Sequence, residues 1–261
     1  MILNHVQIMN MVQEVATGRR ERNRLARHRT YLRTALRLAT EEGLEALTMQ
    51  RLADEVDAAV GTVYTYFPSK GALLAEVQRE AIERLTGSYL LLRPDLEARV
   101  ADEDPRIASL AHLAGFARYW IASYDTYPQE QQLLQQLMSG SAADTVPVDE
   151  ATRVVPTVLR LLGLAEERFG AAAAAGALSD ADPMDRTIVL AAALSGVLQV
   201  GKLAHWDDEL LDGTRLGRQL VDDLLRGWGA DPNLLAAAHS VVDAVARRHP
   251  LARPLPDGDD Q

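Results

Sequence analysis

Two adjoining stretches hold the side chains whose types and spacing could do chemistry. In "LTMQRLADEVDAAVGTVYTYFPSKGALL", residues 47–74, the hydroxyls of Thr48, Thr62, Tyr64, Thr65 and Tyr66 precede Lys70, one of two lysines in 261 residues. Hydroxyls and an ammonium can grip phosphate oxygens or touch base edges; phosphate contacts set register and base-edge contacts set sequence preference. Just upstream, Arg19 to Arg37 holds eight arginines against one glutamate, a local charge of +7. Arg19, Arg20, Arg22 and Arg24 could form a flexible arm that follows a phosphate backbone or enters a minor groove. The competing reading of such a run is a solvated helix face, and a helix pair bearing two Tyr and a Phe also occurs in helical cores.

Other chemistries find little support. The chain has no cysteine, which excludes disulfides, Cys-ligated zinc and thiol catalysis. Its six histidines, at 5, 28, 112, 205, 239 and 249, lack metal-ligand spacing, and there is neither a Gly-rich phosphate loop nor a nucleophile elbow. Carboxylate pairs such as Asp207-Asp208 and Asp222-Asp223 read as solvated faces. No catalytic residue, metal or cofactor is expected, and an enzyme hidden in the acidic part is a minor alternative. The net charge of -10 argues against a general nucleic-acid binder, but its distribution matters more. Residues 88–261 hold 15 basic and 26 acidic residues, so only the N-terminal end suits a polyanion.

The elements that must position these groups are helices, because no run alternates β-branched or aromatic residues with period two. A first helix fits "RNRLARHRTYLRTALRLATEEG", with Leu32, Leu36 and Ala39 on one face and Gly43 ending it. Thr48 caps a short second helix, Asp57 to Ala59 break it, and Val60 to Phe67 form a third, which is helix-turn-helix spacing. Leu52, Ala53, Val56, Val63 and Phe67 pack this pair, leaving Thr62, Thr65 and Tyr66 on a free face with the small Ala59 and Gly61 near its start. Lys70 then opens a fourth helix, beside amides that favour an anion.

Residues 28–75, from "HRTYLRTALRLATEEG" through "LTMQRLA" to "VGTVYTYFPSKGALL", closely resemble the DNA-binding domain of the tetracycline-repressor (TetR) family of bacterial regulators. The resemblance implies that Thr48, Thr62, Tyr64, Tyr66 and Lys70 take phosphate or packing roles and that Thr65 lies where base reading varies. Together with Arg24, Ala59 and Gly61, these are the candidate DNA-binding residues. The chain departs from the family pattern where the turn usually carries Gly and here has Asp57; Asp tolerates a left-handed backbone, but an acid near DNA weighs against some contacts.

The resulting expectation is an all-α chain: a basic extension over residues 1–23, a helix-turn-helix domain over 24–88, a helical effector-binding and dimerisation domain over 89–250 and a disordered tail from 251 to 261. The domain boundary is placed near 87–90, before a polar joint at 93–105. Further helices are expected at about 106–126, 128–140, 147–168, 183–206, 213–228 and 231–248, several opened by proline. Low-complexity "FGAAAAAGALSDADP" reads as a loop or a helix tail. The N-terminal "MILNHVQIMNMVQEV" lacks the marks of a secretory signal and reads as a frayed tail, an accessory helix or an early start. The apolar run from Thr187 to Gly201 is about 15 residues, short of the ~20 a membrane span needs, so a buried helix and a cytoplasmic protein are expected.

Two late helices rich in small residues suggest a dimer bundle using Leu190, Leu194, Val197, Leu198, Leu220 and Leu224. "HLAGFARYWIASYDTYP" suggests a cavity for an apolar or planar effector, with His112, Phe116, Tyr119, Trp120, Tyr124 and, further on, Met138 as candidate contacts. The leading functional reading is a homodimeric transcriptional regulator of double-stranded DNA, a repressor released by a small molecule. The alternative is a ligand-binding or protein-interaction module whose helix-turn-helix does not engage DNA.

Overall fold

The computed structural model describes residues 5–138 and 148–255, with the side chains of 5–17, 136–138, 148 and 151 outside the description. Ten α-helices lie among the described residues: α1 His5–Glu41, α2 Met49–Glu55, α3 Val60–Tyr66, α4 Lys70–Val100, α5 Pro105–Thr126, α6 Pro128–Met138, α7 Val148–Ala174, α8 Pro183–Val200, α9 Gly213–Gly227 and α10 Pro232–Ala246. No strand occurs among them, as the missing period-two pattern requires.

Local chemistry fixes most helix starts. An Asp-Pro pair opens α5, α8 and α10: Asp104, Asp182 and Asp231 accept hydrogen bonds from first-turn amides, and the proline follows where its missing N–H is not needed. Asp212 caps α9 in the same way, without a proline. Ser69 Oγ accepts from the Ala72 amide at 3.0 Å to start α4. Gly176, with φ +71°, ends the connection after α7, so the alanine run divides into a helix tail and a turn.

Two main cores form. One joins α1, α2 and α3 to the start of α4 through Leu32, Leu38, Leu52, Val63, Phe67, Leu73, Leu74 and Val77, and it also receives Leu133 from α6. The other joins the later part of α4, from Tyr89 onward, to α5, α7, α8, α9 and α10. A smaller cluster of Ala75, Ile82, Val154 and Leu161 lies on α4 and α7.

Three expectations are corrected. The polar joint at 93–105 does not break the chain, because α4 runs unbroken to Val100 and carries Pro94 within it. One core hands over to the other along this single rod, after Ala81 and before Tyr89. The stretch expected as a disordered tail is packed at its start: Leu251 and Ala252 are buried, and the Arg253 carbonyl accepts from Ser88 Oγ and Tyr127 Oη, each at 2.7 Å. The basic stretch is not a flexible arm, since residues 19–29 continue the helix that leads into the first core.

Candidate functional site

The N-terminal candidate site is a surface built on α3. Val63 points inward with full burial, and Phe67 closes the helix beneath it. Gly61, Tyr64 and Thr65 are exposed and Thr62 half-buried, so small and hydroxylated residues share the outer face. A Cβ added at Gly61 would meet nothing within 4 Å, which leaves the start of α3 open to close approach. Thr65 Oγ1 donates to the Gly61 carbonyl at 3.1 Å.

Several residues expected at DNA have structural duties. Thr48 Oγ1 accepts from the Arg51 amide at 3.0 Å as the cap of α2. The Tyr66 ring meets the Tyr31 ring edge-on, with centroids 5.0 Å apart, and so packs α3 against α1. Lys70 Nζ donates to the carbonyls of Leu44 and Glu45 at 2.8 and 3.3 Å, satisfying acceptors in the turn between α1 and α2. Burial holds its pKa below the usual lysine value, against the opposing pull of Glu45. Asp57 adopts φ +50°, the left-handed conformation that the turn demands.

Beside this surface, the arginines of α1 stand on a rigid rod. Arg20, Arg24 and Arg27 recur at helical spacing on one exposed face, and Arg22, Arg29 and Arg33 on another. His28 anchors the rod: its ring stacks on Phe67 at 5.0 Å and its Nε2 lies 2.8 Å from a Glu76 carboxylate oxygen. Arg37 is engaged within the fold, paired with Glu41 at 2.7 Å and with Glu55, while Arg51 pairs with Glu42 and Glu55 at 2.7 and 2.6 Å. Upstream of Arg37, Arg19, Arg20, Arg22, Arg27 and Arg33 are exposed.

A cavity of about 400 Å³ lies between α4, α5, α6, α7 and α8. Trp120 and Tyr124 line it as expected, and Phe116 lines a small apolar cleft of about 40 Å³ that Trp120 shares. The other expected residues lie elsewhere. Tyr119 is fully buried and donates to the Leu85 carbonyl, and His112 is buried near Arg168 and Glu97 with its Nδ1 unpaired. Burial first, and Arg168 second, push the His112 pKa down. The Met138 side chain lies outside the described residues.

Sequence reasoning missed Gln78 and Ile82 on α4, Gln131, Leu134 and Gln135 on α6, and the walls given by α7 and α8. No spacing signal marks them, because five separate helices supply them. A more polar pocket of about 410 Å³, holding Asp125, Lys202 and Asp208, adjoins the cavity across Tyr124, Gln131 and Gln135. Gln135 bridges the two, donating to Tyr124 Oη at 3.1 Å and accepting from Lys202 Nζ.

The residues expected at a dimer surface divide between buried and half-buried positions. Leu190, Leu194 and Leu198 are buried in the second core, Leu220 and Leu224 pack against it, and Val197 is half-buried. Gly201 packs against Gly213 of the same chain; a Cβ on either would come within 3.1 Å of the other's Cα. The exposed large apolar residues nearby are Val155, Val158 and Leu159 on α7, Ile188 and Val189 on α8, and Leu203, Trp206 and Leu210 in the turn that follows. Pro183–Leu203 is long and apolar enough to cross a membrane by length and composition, with 28% of it buried. Its apolar character divides between the inward leucines and this outward strip.

Residues 32–77 match the family model described as bacterial regulatory proteins, tetR family. The HTH-type transcriptional repressor KstR of Rhodococcus jostii (strain RHA1) is 42% identical over 143 residues, covering 51% of this chain and 67% of that protein. The KstR repressor of Mycolicibacterium smegmatis is 41% identical over 59 residues, covering 23% of this chain and 29% of its own. Among solved structures, a TetR transcription regulator from Haloarcula marismortui superposes with a TM-score of 0.56 at 18% identity, over 77% of this chain and 97% of that one. A transcriptional regulator from Saccharomonospora viridis, solved in complex with choline, gives 0.55 at 18% identity, over 77% and 96%. At such identities the two superpositions establish the fold alone.

Proposed function

Because the chain belongs to the tetR family of bacterial regulatory proteins, we propose that this DNA-binding regulator is a homodimeric repressor, released from a near-palindromic operator by a small molecule held in the α4–α8 cavity. Each copy lays the outer face of α3 in a major groove, with Thr62, Tyr64 and Thr65 toward base edges and phosphates. The arginines of α1 follow the backbone beside it. Two-fold symmetry sets the paired recognition helices about one helical turn of DNA apart, roughly 34–36 Å or a little more. The second copy docks on the outward apolar strip of α7, α8 and the turn after α8, where Val155, Leu159, Ile188, Val189 and Trp206 are exposed.

The observation that carries the effector-responsive reading is the double attachment of α6. Leu133 is fully buried in the core of the DNA-binding half, and Gln132 Nε2 donates to the Thr40 carbonyl of α1 at 2.8 Å. Gln131, Leu134 and Gln135 of the same helix line the cavity. The rod α4 is attached twice as well, through Leu74 and Val77 to the first core and through Gln78 and Ile82 to the cavity. A molecule that moves α6 or α4 must therefore tilt α3. Nearly complete switching needs a preference of about 5.5 kcal/mol for the released state. By reciprocity, DNA weakens effector binding by the same factor.

The test is selection of bound fragments from a random or genomic DNA pool by the purified protein at near-physiological salt. Enrichment of a palindrome with two half-sites supports the reading. A folded, dimeric protein that enriches nothing overturns it.

A further inference from the structure

The α4–α8 cavity is set apart by what lines it. Among its described lining residues there is no Asp, Glu, Lys, Arg or His, and most side chains are aliphatic. The charged groups nearby, Asp125, Lys202 and Asp208, stand in the adjoining polar pocket. An ionised ligand group placed in the cavity would lose its hydration without gaining a counter-ion, a heavy penalty in so apolar a space.

The polar groups at the wall differ in how far they are already satisfied. Gln131 Nε2 donates to Ser123 Oγ at 2.7 Å, and Gln135 is bonded on both sides, to Tyr124 and to Lys202. Gln78 is different. It is only 6% exposed, it lines the cavity, and its amide makes no hydrogen bond with another described residue. Beside it in the wall, the indole N–H of Trp120 is buried and has no acceptor among the described residues. An amide whose donor and acceptor are free at the wall of an apolar cavity is placed to bond a polar atom of a ligand.

We propose that the molecule held in the cavity is uncharged and largely apolar, and that it carries a carbonyl-type oxygen that accepts a hydrogen bond from the Gln78 amide. This rests on the reading of the cavity as the effector site. The volume of about 400 Å³ falls at the small end of sites for drug-sized ligands.

Three probes of one skeleton isolate the chemistry: diphenylmethane, benzophenone and 4-benzoylbenzoate, titrated calorimetrically into the full chain without DNA. Benzophenone is expected to bind tightest, roughly 2- to 10-fold ahead of diphenylmethane, the worth of one hydrogen bond. The carboxylate is expected to bind least. In Gln78→Leu the ketone and the hydrocarbon should bind alike while the hydrocarbon keeps its wild-type affinity, whereas a general loss of structure would lower both. The proposal is overturned if the carboxylate matches the ketone in the wild type, if none of the three binds, or if Gln78→Leu keeps the ketone preference. Release of operator DNA is read separately. Selective binding of benzophenone without release supports the ligand class and counts against effector release, while release by 4-benzoylbenzoate in place of benzophenone supports effector release and sinks the ligand class.

Discussion

Leu133 and Leu134 are consecutive in α6 and belong to different interiors. Leu133 is fully buried in the core shared with α1 to α3, and Leu134 lines the cavity under α7 and α8. Leu133→Ala is expected to cost about 2–5 kcal/mol of stability, as for other buried leucines, and to weaken DNA binding as the first core loosens. Leu134→Ala should leave DNA affinity near wild type in the absence of effector and blunt effector-driven release. Chemical denaturation and fluorescence anisotropy on the selected operator separate the two. Equal losses of DNA affinity would show that the two faces are not functionally distinct.

Lys70 has a structural task. Its ammonium holds the Leu44 and Glu45 carbonyls. Lys70→Met should therefore destabilise the fold by roughly 1.5–3 kcal/mol, the range for a hydrogen-bonded charge. The slope of log affinity against log salt is expected to stay at its wild-type value, because two carbonyls of the fold engage this ammonium. A flattened slope with unchanged stability would return Lys70 to the DNA surface.

The exposed arginines of α1 should behave oppositely. Replacing Arg20, Arg24 and Arg27 together by Ala removes charge from one helix face without touching the core. Stability should hardly change, affinity should fall for all sequences alike, and the salt slope should drop by about 0.9 for each phosphate no longer neutralised. An unchanged slope would mean that this rod points away from DNA.

Thr65 is exposed on α3 and is the residue we propose to read a base. Thr65→Ala should shift sequence preference at one operator position by about 1–3 kcal/mol, measured by repeating the DNA selection with the variant. A uniform loss across sequences would assign Thr65 to phosphate.

His112 predicts how stability responds to pH. Burial lowers its pKa from the ordinary 6.5, so between the folded and unfolded values the unfolded chain binds more protons and stability rises with pH. Acidification from pH 6.5 downward should destabilise the protein through this residue, and His112→Gln should flatten that part of the profile. Thermal melts of both proteins on either side of that value supply the comparison; parallel curves would remove His112 from the account.

Much of the N-terminal half was legible because its determinants are local. Thr48 as a cap, Asp57 in a left-handed turn and Val63 and Phe67 as the inward face each follow from residue type and short spacing. The partners of Tyr66 and Lys70 within the fold do not follow in this way. Whether a ring or an ammonium faces DNA or the fold depends on partners distant in sequence, Tyr31 for the ring and Leu44 for the ammonium.

The sequence by itself determined an all-helical chain, its caps and breaks, the family-like helix-turn-helix and the separation of basic from acidic charge, all set by short-range stereochemistry and by composition. Tertiary packing decided the rest. It ran α4 unbroken through a polar stretch, turned the leucines of α8 inward and left Ile188 and Val189 outside, and gathered a cavity from five helices. Helical periodicity fixes which residues share a face, but which face is buried depends on what other helices bring to it.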